Sequence, residues 1–108
     1  MATNLKNYPT ANIGTVSTTV YNPTATGIQS TIIGLLLSNT TGSEIQVSVT
    51  LTSGGTTIFL IKNSTVPAGN TLNIIGDGKV IVQEDQLIKA YSNVASSLDV
   101  LVSAVEVA

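Results

Sequence analysis

The side chains that most often perform chemistry in proteins are scarce in this sequence. It contains no histidine and no cysteine, so the usual nucleophile–base arrangements and most transition-metal sites cannot be built. Of its carboxylates, only Glu84 and Asp85 are adjacent. Neighbours on an extended chain point to opposite sides, so this pair is poorly placed to share a proton. We expect a solvated turn there and no enzymatic activity.

Asp77, between Gly76 and Gly78, is the best candidate for a single metal ligand. A calcium loop supplies several oxygen ligands at set spacings, and the pattern D-x-[DN]-x-[DN]-G is absent. The two glycines are not followed by a predicted helix, so the segment does not form a phosphate-binding loop. We expect a tight turn at 76–78, with no bound metal and no cofactor.

Charged residues make up only 9% of the chain, against about 25% in a typical globular domain. The net charge is −2 and there is no arginine, which argues against a nucleic-acid partner. The surface must consist of threonine, serine, asparagine and apolar residues. Two interpretations follow: a small soluble domain, or a subunit that packs against other subunits.

The sequence predicts no contact with a membrane. The longest apolar stretch, 32–37, is far shorter than the ~18 residues of a membrane span and is typical of a buried central strand. Residues 1–14 lack the basic start and apolar run of a signal peptide.

A hairpin over 44–62 is the clearest structural prediction. Its first arm alternates, with Ile45, Val47, Val49 and Leu51 on one face, which is typical of a half-buried strand. The sequence Ser-Gly-Gly at 53–55 then reverses the chain. The second arm is apolar on both faces, which predicts that a second sheet or a partner covers each side.

Six further runs, separated by turn signals, have the character of strands. They are residues 15–21, 28–38, 71–75, 79–83, 86–94 and 98–107. No segment has a helical period with caps, and every connection is too short for a helical crossover. We therefore predict an all-β fold: a single antiparallel two-sheet sandwich, jelly-roll-like, with about eight strands, spanning residues 15–108.

Residues 1–14 show no period and contain Pro9, so an extended N-terminal arm is expected there. Its sizeable apolar side chains are Leu5, Tyr8 and Ile13. The arm is either a loose tail or a segment laid on a neighbouring subunit. In the second case these three residues, with Tyr21 just inside the domain, are the interface candidates.

The order of segments resembles that of small all-β virion proteins of tailed bacteriophages. The resemblance covers residues 15–107 and rests on phrases that mark turns, core alternation and a closing strand. The phrases are TTVY, IIGLLLSNTTGS, TTIFLIKN, VPAG, GDGKVIVQEDQLIKAYSN and LDVLVSAVEV. They indicate a family of virion parts more firmly than one role within the particle.

The resemblance implies a capsid cement, or decoration, protein that bridges neighbouring capsomers. Its expected partners are itself, as a homo-oligomer and specifically a trimer, and the major capsid protein. Its expected location is the virion, assembled in the bacterial host cytoplasm. One alternative is a neck, tail or fibre-associated component. Another is a carbohydrate-binding jelly roll on the virion surface, although the sequence offers few aromatic residues for stacking on sugars.

Overall fold

The computed structural model describes residues 3–23, 27–75 and 79–107, and every regular element in these ranges is a β-strand. The strands are β1 Thr3–Ile13, β2 Thr18–Tyr21, β3 Gln29–Asn39, β4 Ile45–Ser53, β5 Thr56–Val66, β6 Thr71–Asn73, β7 Val80–Val82, β8 Gln86–Ser92 and β9 Leu98–Val107. The predicted all-β class is therefore confirmed. None of the described residues forms a helix that could span a membrane.

The strands form two antiparallel sheets with jelly-roll topology. One sheet has the order β1-β9-β3-β6, with the short β7 pairing beside β6 on the same strand, β3. The other has the order β2-β8-β4-β5. Strands β4 and β5 pair as a hairpin, and apart from β7 each of the other strands is followed by a strand in the opposite sheet. This is the double Greek key that defines a jelly roll. We call these the β1 sheet and the β2 sheet.

The core lies between the two sheets, and the alternation of buried and less buried residues is strict in β9, whereas β4 also buries Ser48 and Thr50. In β9, Leu98, Val100, Val102 and Ala104 are at most 2% exposed. In β4, Ile45, Val47 and Val49 are likewise buried at 0–1%. Successive residues on a strand face opposite sides, so these sets define the inner faces of the two sheets. Both sets match the sequence prediction.

The hairpin over 44–62 forms, but its second arm differs from the prediction. Strand β5 continues to Val66, and its pairing with β4 shifts register at two places. Phe59, which pairs with Thr50 on the outer side, is 45% exposed, and Ile58, which pairs with Leu51 on the other side, is 50% exposed. Leu51 is only half-buried, because it lies near the open end of the sandwich. On the opposite face Thr50 is 6% exposed, less than a solvent-facing residue would be.

The N-terminal segment differs most from the sequence-based expectation. Residues 3–13 are not an arm outside the sandwich but its edge strand β1, antiparallel to β9 from Thr3↔Val107 to Ile13↔Leu98. The boundary at 14/15 is therefore not a structural boundary. Polar residues and Pro9 hid the strand in the sequence, because an edge strand exposes most of its side chains and tolerates proline.

Two predicted turns fall partly or wholly outside the described residues. The turn at 76–78, which includes Asp77, lies outside them. The loop predicted over 22–27 is described only at Asn22, Pro23 and Gly27, where Gly27 has a φ of 84° that glycine adopts without strain.

Candidate interaction surface

The outer face of the β1 sheet presents two mainly apolar rows of side chains with a polar row between them. The registers of β1, β9, β3, β6 and β7 place these three rows side by side. They are Leu5–Val105–Thr31–Ile81, Asn7–Ser103–Gly34 and Pro9–Leu101–Leu36–Asn73. A fourth row, Asp99–Ser38–Thr71, closes one end beside Ala11. We call these four rows, with Ile33 from the bulge in β3, the apolar face.

These residues face outward because their chain neighbours face the core. Leu36 lies between Leu35 and Leu37, both 0% exposed, and Leu101 lies between Val100 and Val102. Strand β3 is therefore apolar on both faces, as expected for a strand that is covered on both sides. In the single chain only its inner side is covered.

Several large side chains of the apolar face remain strongly exposed. Leu5 is 77% exposed, Ile81 63% and Ile33 46%. Single exposed apolar residues are ordinary, but a contiguous apolar patch of several hundred Å² indicates an interaction site. Here Leu5 and Ile81 share one row and Ile33 lies beside it, so this end of the face is the most exposed part of the candidate site.

Two shallow grooves mark the ends of the apolar face. The larger, about 510 Å³, is lined by Pro9, Thr10, Ala11, Leu36, Ser38, Asp99, Val100 and Leu101. The smaller, about 260 Å³, is lined by Leu5, Lys6, Asn7, Ile33, Ser103 and Ala104. Lys6 pairs with the buried Ala104, so its side chain starts on the opposite side of the sheet from Leu5 and Asn7. Asp99 is the only charged residue in the four rows of the described strands, and its Oδ1 accepts a hydrogen bond of 3.0 Å from the Asn12 amide.

The outer face of the β2 sheet is of a different kind. Its rows pair Ser48 with Tyr91, Thr50 with Lys89, and Thr52 with Leu87. This face also carries the exposed Phe59, which pairs with Thr50, while Ser48 and Thr50 are only 1% and 6% exposed. The two outer faces therefore differ mainly in the number of strongly exposed apolar side chains, which is larger on the β1 sheet.

A polar cluster under the apolar face attaches β1 to the rest of the sandwich. The carboxylate of Glu106, only 7% exposed, accepts hydrogen bonds from the hydroxyls of Tyr8 at 2.5 Å and Tyr21 at 2.8 Å. The Tyr21 hydroxyl also shares a hydrogen bond with Ser30. The two tyrosine rings meet edge to face with centroids 5.1 Å apart. The cluster joins strands β1, β2, β3 and β9.

The environment of this cluster keeps both phenols protonated. Burial raises the pKa of Tyr8 to about 12, and the hydrogen bond to Glu106 and the negative charge of that carboxylate act in the same direction. Burial also raises the pKa of Tyr21 well above its ordinary value, with Glu106 adding to the increase and Ser30 opposing it. A buried carboxylate is stable only when it accepts hydrogen bonds, and protonated hydroxyls can donate them. The cluster therefore stabilises the fold.

The four residues predicted to form an interface have different positions. Leu5 lies on the apolar face and is fully available for contact. Tyr8 points inward to Glu106 and is only partly exposed. Ile13 and Tyr21 are each 2% exposed and belong to the core of their own chain. The other residues of the apolar face were not predicted from the sequence. The run of apolar residues in β3, which places apolar side chains on both sides of the strand, was a signal for them.

The acidic pair lies at a turn, where the sequence placed it. Glu84 and Asp85 are both exposed between β7 and β8, beside a shallow cavity of about 360 Å³. Glu84 accepts a hydrogen bond from the Gly27 amide. Within the described ranges, no three acidic side chains gather closely enough to hold a metal ion. The absence of catalysis and of a metal remains a prediction.

Comparison with known proteins adds information on the fold. No protein-family model matches the sequence, and no curated protein matches it. Solved structures with a similar fold include the following two. A subunit of Bacillus endospore appendages, described as a novel family of disulfide-linked pili, aligns with a TM-score of 0.56 and 13% identity, over 97% of this chain and 85% of that chain. A pentameric capsid protein from metagenomic phage sequences aligns with a TM-score of 0.50 and 22% identity, over 94% of this chain and 60% of that chain.

Similarity at these identities establishes a shared fold and nothing further about this chain. The two-sheet sandwich described above is thus a known architecture. Since one fold hosts many functions, the role of this protein must be argued from its surface.

Proposed function

We propose that this protein is a structural subunit of a bacteriophage particle, and specifically a capsid cement protein. The observation that carries the proposal is the apolar face, a wide uncovered sheet surface in a chain of only 9% charged residues. Such a surface is unfavourable in water and is stabilised when a partner covers it. A subunit of a permanent assembly satisfies that requirement.

The fold supports a virion role without deciding it. Jelly rolls occur in viral capsid proteins, and also in lectins and cupins. One structure with this fold is a capsid protein from phage sequences, and another is a subunit of bacterial pili. Both of those proteins belong to repeating assemblies, which agrees with a subunit role for this chain.

On the particle, the protein acts by burying surface between neighbouring capsomers, so that separating them costs free energy. The partners in this proposal are further copies of the chain, as a homotrimer at three-fold positions, and the major capsid protein. A stable contact buries about 800 Å² on each partner, so a domain of this size can serve two partners at once. The location proposed is the virion, after assembly in the host cytoplasm.

A neck, tail or fibre-associated component is the second candidate. The similarity to a pilus subunit favours it, because tails and pili both repeat a subunit along an axis. A sugar-binding role has less support. Phe59 is the most exposed aromatic ring, and the Lys62 ammonium lies 5.0 Å from its centroid, where it covers one side of the ring.

Binding to purified phage heads tests the proposal. Heads that lack the protein are incubated with the purified chain, sedimented, and then heated while release of DNA is followed. A cement protein saturates the heads at a fixed copy number and raises the temperature of DNA release. Failure to bind heads, with binding to isolated tails instead, would favour the second candidate.

A further inference from the structure

We propose that the free edge of β5 pairs with the β5 edge of a second copy of this chain, antiparallel and across a two-fold axis at Ile58. The pairing joins the β2 sheets of the two copies into one continuous sheet. This contact does not depend on the proposed function, because it needs only a second copy of the chain. It is separate from the three-fold contacts and the capsid contacts proposed above.

Strand β5 is an open edge of the β2 sheet. Among the described strands it pairs only with β4, so the other side of its backbone has no strand partner there. Residues 56–59 pair with 50–53 in regular register, and the first shift comes after Phe59. The run TTIFLI at 56–61 contains no charge and no proline, and all its residues except Leu60 are β-branched or aromatic. An exposed edge strand of this composition favours pairing with an identical strand.

The two exposed apolar side chains of this edge lie on opposite sides of the sheet. Phe59, beside Thr50 on the outer side, is 45% exposed, and Ile58, beside Leu51 on the inner side, is 50% exposed. A partner docked on one face of the sheet covers only one of them. A strand added beside β5 contacts both, because its own side chains alternate between the same two sides. The partner that fits this edge is therefore an extended strand.

The register of the hairpin shows which backbone groups point to the open edge. In an antiparallel pair, hydrogen-bonded and non-hydrogen-bonded residue pairs alternate. Ser53 and Thr56 close the two-residue turn as a hydrogen-bonded pair, so Thr52 and Thr57 form a non-hydrogen-bonded one. The hydroxyls of this second pair lie 3.0 Å apart, as expected where side chains approach most closely. Thr57 and Phe59 therefore direct their N–H and C=O groups outward.

These outward groups fit a two-fold pairing with Ile58 at its centre. Thr57 of each copy then faces Phe59 of the other, and each such pair exchanges two backbone hydrogen bonds. The two Ile58 side chains meet on the inner side, in the kind of pair where side chains lie closest. Each Phe59 lies beside a Thr57 on the outer side. One segment thus supplies both halves of the contact.

The charge on β5 is compatible with this pairing. The Lys62 ammonium lies over the Phe59 ring of its own chain, 5.0 Å from the centroid. In the antiparallel pairing the two Lys62 residues lie at opposite ends, on the order of 26 Å apart at a rise of about 3.3 Å per residue. Charges so far apart are screened by salt. A parallel pairing in the same register would place the two lysines side by side and is disfavoured.

The other long edge strand, β1, is protected against strand addition. Pro9 has no N–H group to donate across an open edge. Lys6, opposite the buried Ala104, starts toward the inner side, where an added strand would bury its charge. On β5 the comparable features, a register shift and Lys62, come after Phe59. They limit the length of the pairing and leave 56–59 open to it.

The contact is small, with about five residues of each copy in the added pairing. A stable isolated dimer buries about 800 Å² on each partner, more than so short a strand provides. The pairing therefore acts within an assembly, where other contacts hold the copies together and raise their effective concentration. In solution it must be detected as a short-lived pair.

A disulfide across the two-fold axis tests the register. The chain has no cysteine, so one introduced cysteine reports a single position. At Ile58 the two Cα atoms would be about 4.5 Å apart, within the span of a disulfide. Under mild oxidation Ile58→Cys should form a disulfide dimer roughly tenfold faster than Thr57→Cys. Thr57 is the matched control, because its two copies would be diagonal neighbours about 7–8 Å apart, beyond that span. Equal rates at the two positions would overturn the inference.

A proline at the edge tests whether the backbone takes part. The Thr57 N–H points to the open edge, so Thr57→Pro removes no hydrogen bond within the chain. Added to Ile58→Cys, it should slow the dimer's formation roughly tenfold, whereas Thr57→Ala should not change the rate. Circular dichroism melts establish that each variant is folded. An unchanged rate with the proline would show that the cysteines meet without strand pairing.

Hydrogen exchange of the wild-type chain, resolved by residue with NMR, gives a second measurement if the proline variant does not fold. The amides of Thr57 and Phe59 should exchange more slowly in concentrated than in dilute protein. The amide of Leu5, on the protected β1 edge, is the control and should exchange at the same rate in both. No difference at β5, or a difference at Leu5 instead, would contradict the proposed edge.

Head binding is scored separately with Ile58→Lys, which places a charge at the centre of the edge. Edge pairing by a wild-type chain that does not bind heads would contradict the cement function and leave this inference standing. A chain that binds and stabilises heads but shows no preference for a crosslink at Ile58 would contradict the inference and leave the proposed function standing.

Discussion

The Tyr8 hydroxyl donates a 2.5 Å hydrogen bond to Oε2 of Glu106, a residue 98 positions away in the sequence. The bond joins the first strand to the last and closes the edge of the β1 sheet. Tyr21 donates to the same oxygen from the opposite sheet, so one carboxylate holds together both layers of the sandwich. Stability of the edge that supports the apolar face should therefore depend on this cluster.

Replacing Tyr8 with phenylalanine should lower the free energy of unfolding by about 1.5–3 kcal/mol, the usual range for a hydrogen bond to a charged group. Urea unfolding followed by circular dichroism measures it. Tyr91→Phe is the control, since that hydroxyl makes no hydrogen bond within the described residues and the change should stay within about 0.5 kcal/mol. Equal effects of the two substitutions would mean that the Tyr8 bond does not hold the edge strand.

The cluster also predicts a loss of stability at alkaline pH. The folded chain keeps the Tyr8 proton up to a pKa of about 12, whereas the unfolded chain releases it near 10.0. Above pH 10 the native state therefore binds more protons than the unfolded state, and stability falls as pH rises through this window. Below pH 10 the contribution is fully present.

Urea midpoints measured from pH 9 to about 11.5 should show this decline. Tyr8→Phe should make the decline shallower, because one of the two perturbed groups is gone. Tyr91→Phe should leave the pH dependence as it is in the wild type. A midpoint that does not change with pH, or the same slope in Tyr8→Phe, would contradict the assignment.

Adjacent leucines in β3 test which side of the strand faces the core. Leu35 is 0% exposed, so Leu35→Ala should cost about 2–5 kcal/mol of unfolding free energy. Leu36 faces outward, and Leu36→Ala should cost well under half as much when measured at a concentration where the protein is monomeric. Thermal or urea unfolding gives both values. Similar costs would mean that β3 is shifted by one residue, since such a shift exchanges its two faces.

Deletion of residues 3–10 tests whether the N-terminal segment is a strand of its own sandwich. It removes most of β1, exposes the pairing edge of β9 and leaves Glu106 without the Tyr8 hydroxyl. The truncated protein should melt at a much lower temperature or aggregate through the uncovered edge. An unchanged melting temperature would show that the sandwich is stable without this segment. The segment would then be a separate arm, as the sequence suggested.

Several elements could be predicted from the sequence because local patterning decides them. Strand β9 alternates from Leu98 onward and was predicted at its observed bounds. The first arm of the hairpin alternates in the same way. In both strands one face is buried by the opposite sheet, so the period-two pattern carries enough information by itself.

The first strand and the apolar face could be identified only from the three-dimensional structure. Strand β1 buries almost nothing along most of its length, so it has no apolar period, and its position depends on β9 and on Glu106 at the other end of the chain. The apolar face combines residues from five strands whose registers no local pattern specifies. The run over 32–37 did indicate a buried central strand. It did not indicate that one side of that strand is left open in the single chain.

The most direct test of the central claim is a cryo-electron microscopy map of the phage particle that carries this protein. The proposal predicts a jelly-roll density on the head, repeated at fixed positions and bridging capsomers. It also predicts that the face containing Leu36 and Leu101 is covered by protein. A particle without this subunit on its head, or one that presents that face to solvent, would contradict the proposed function.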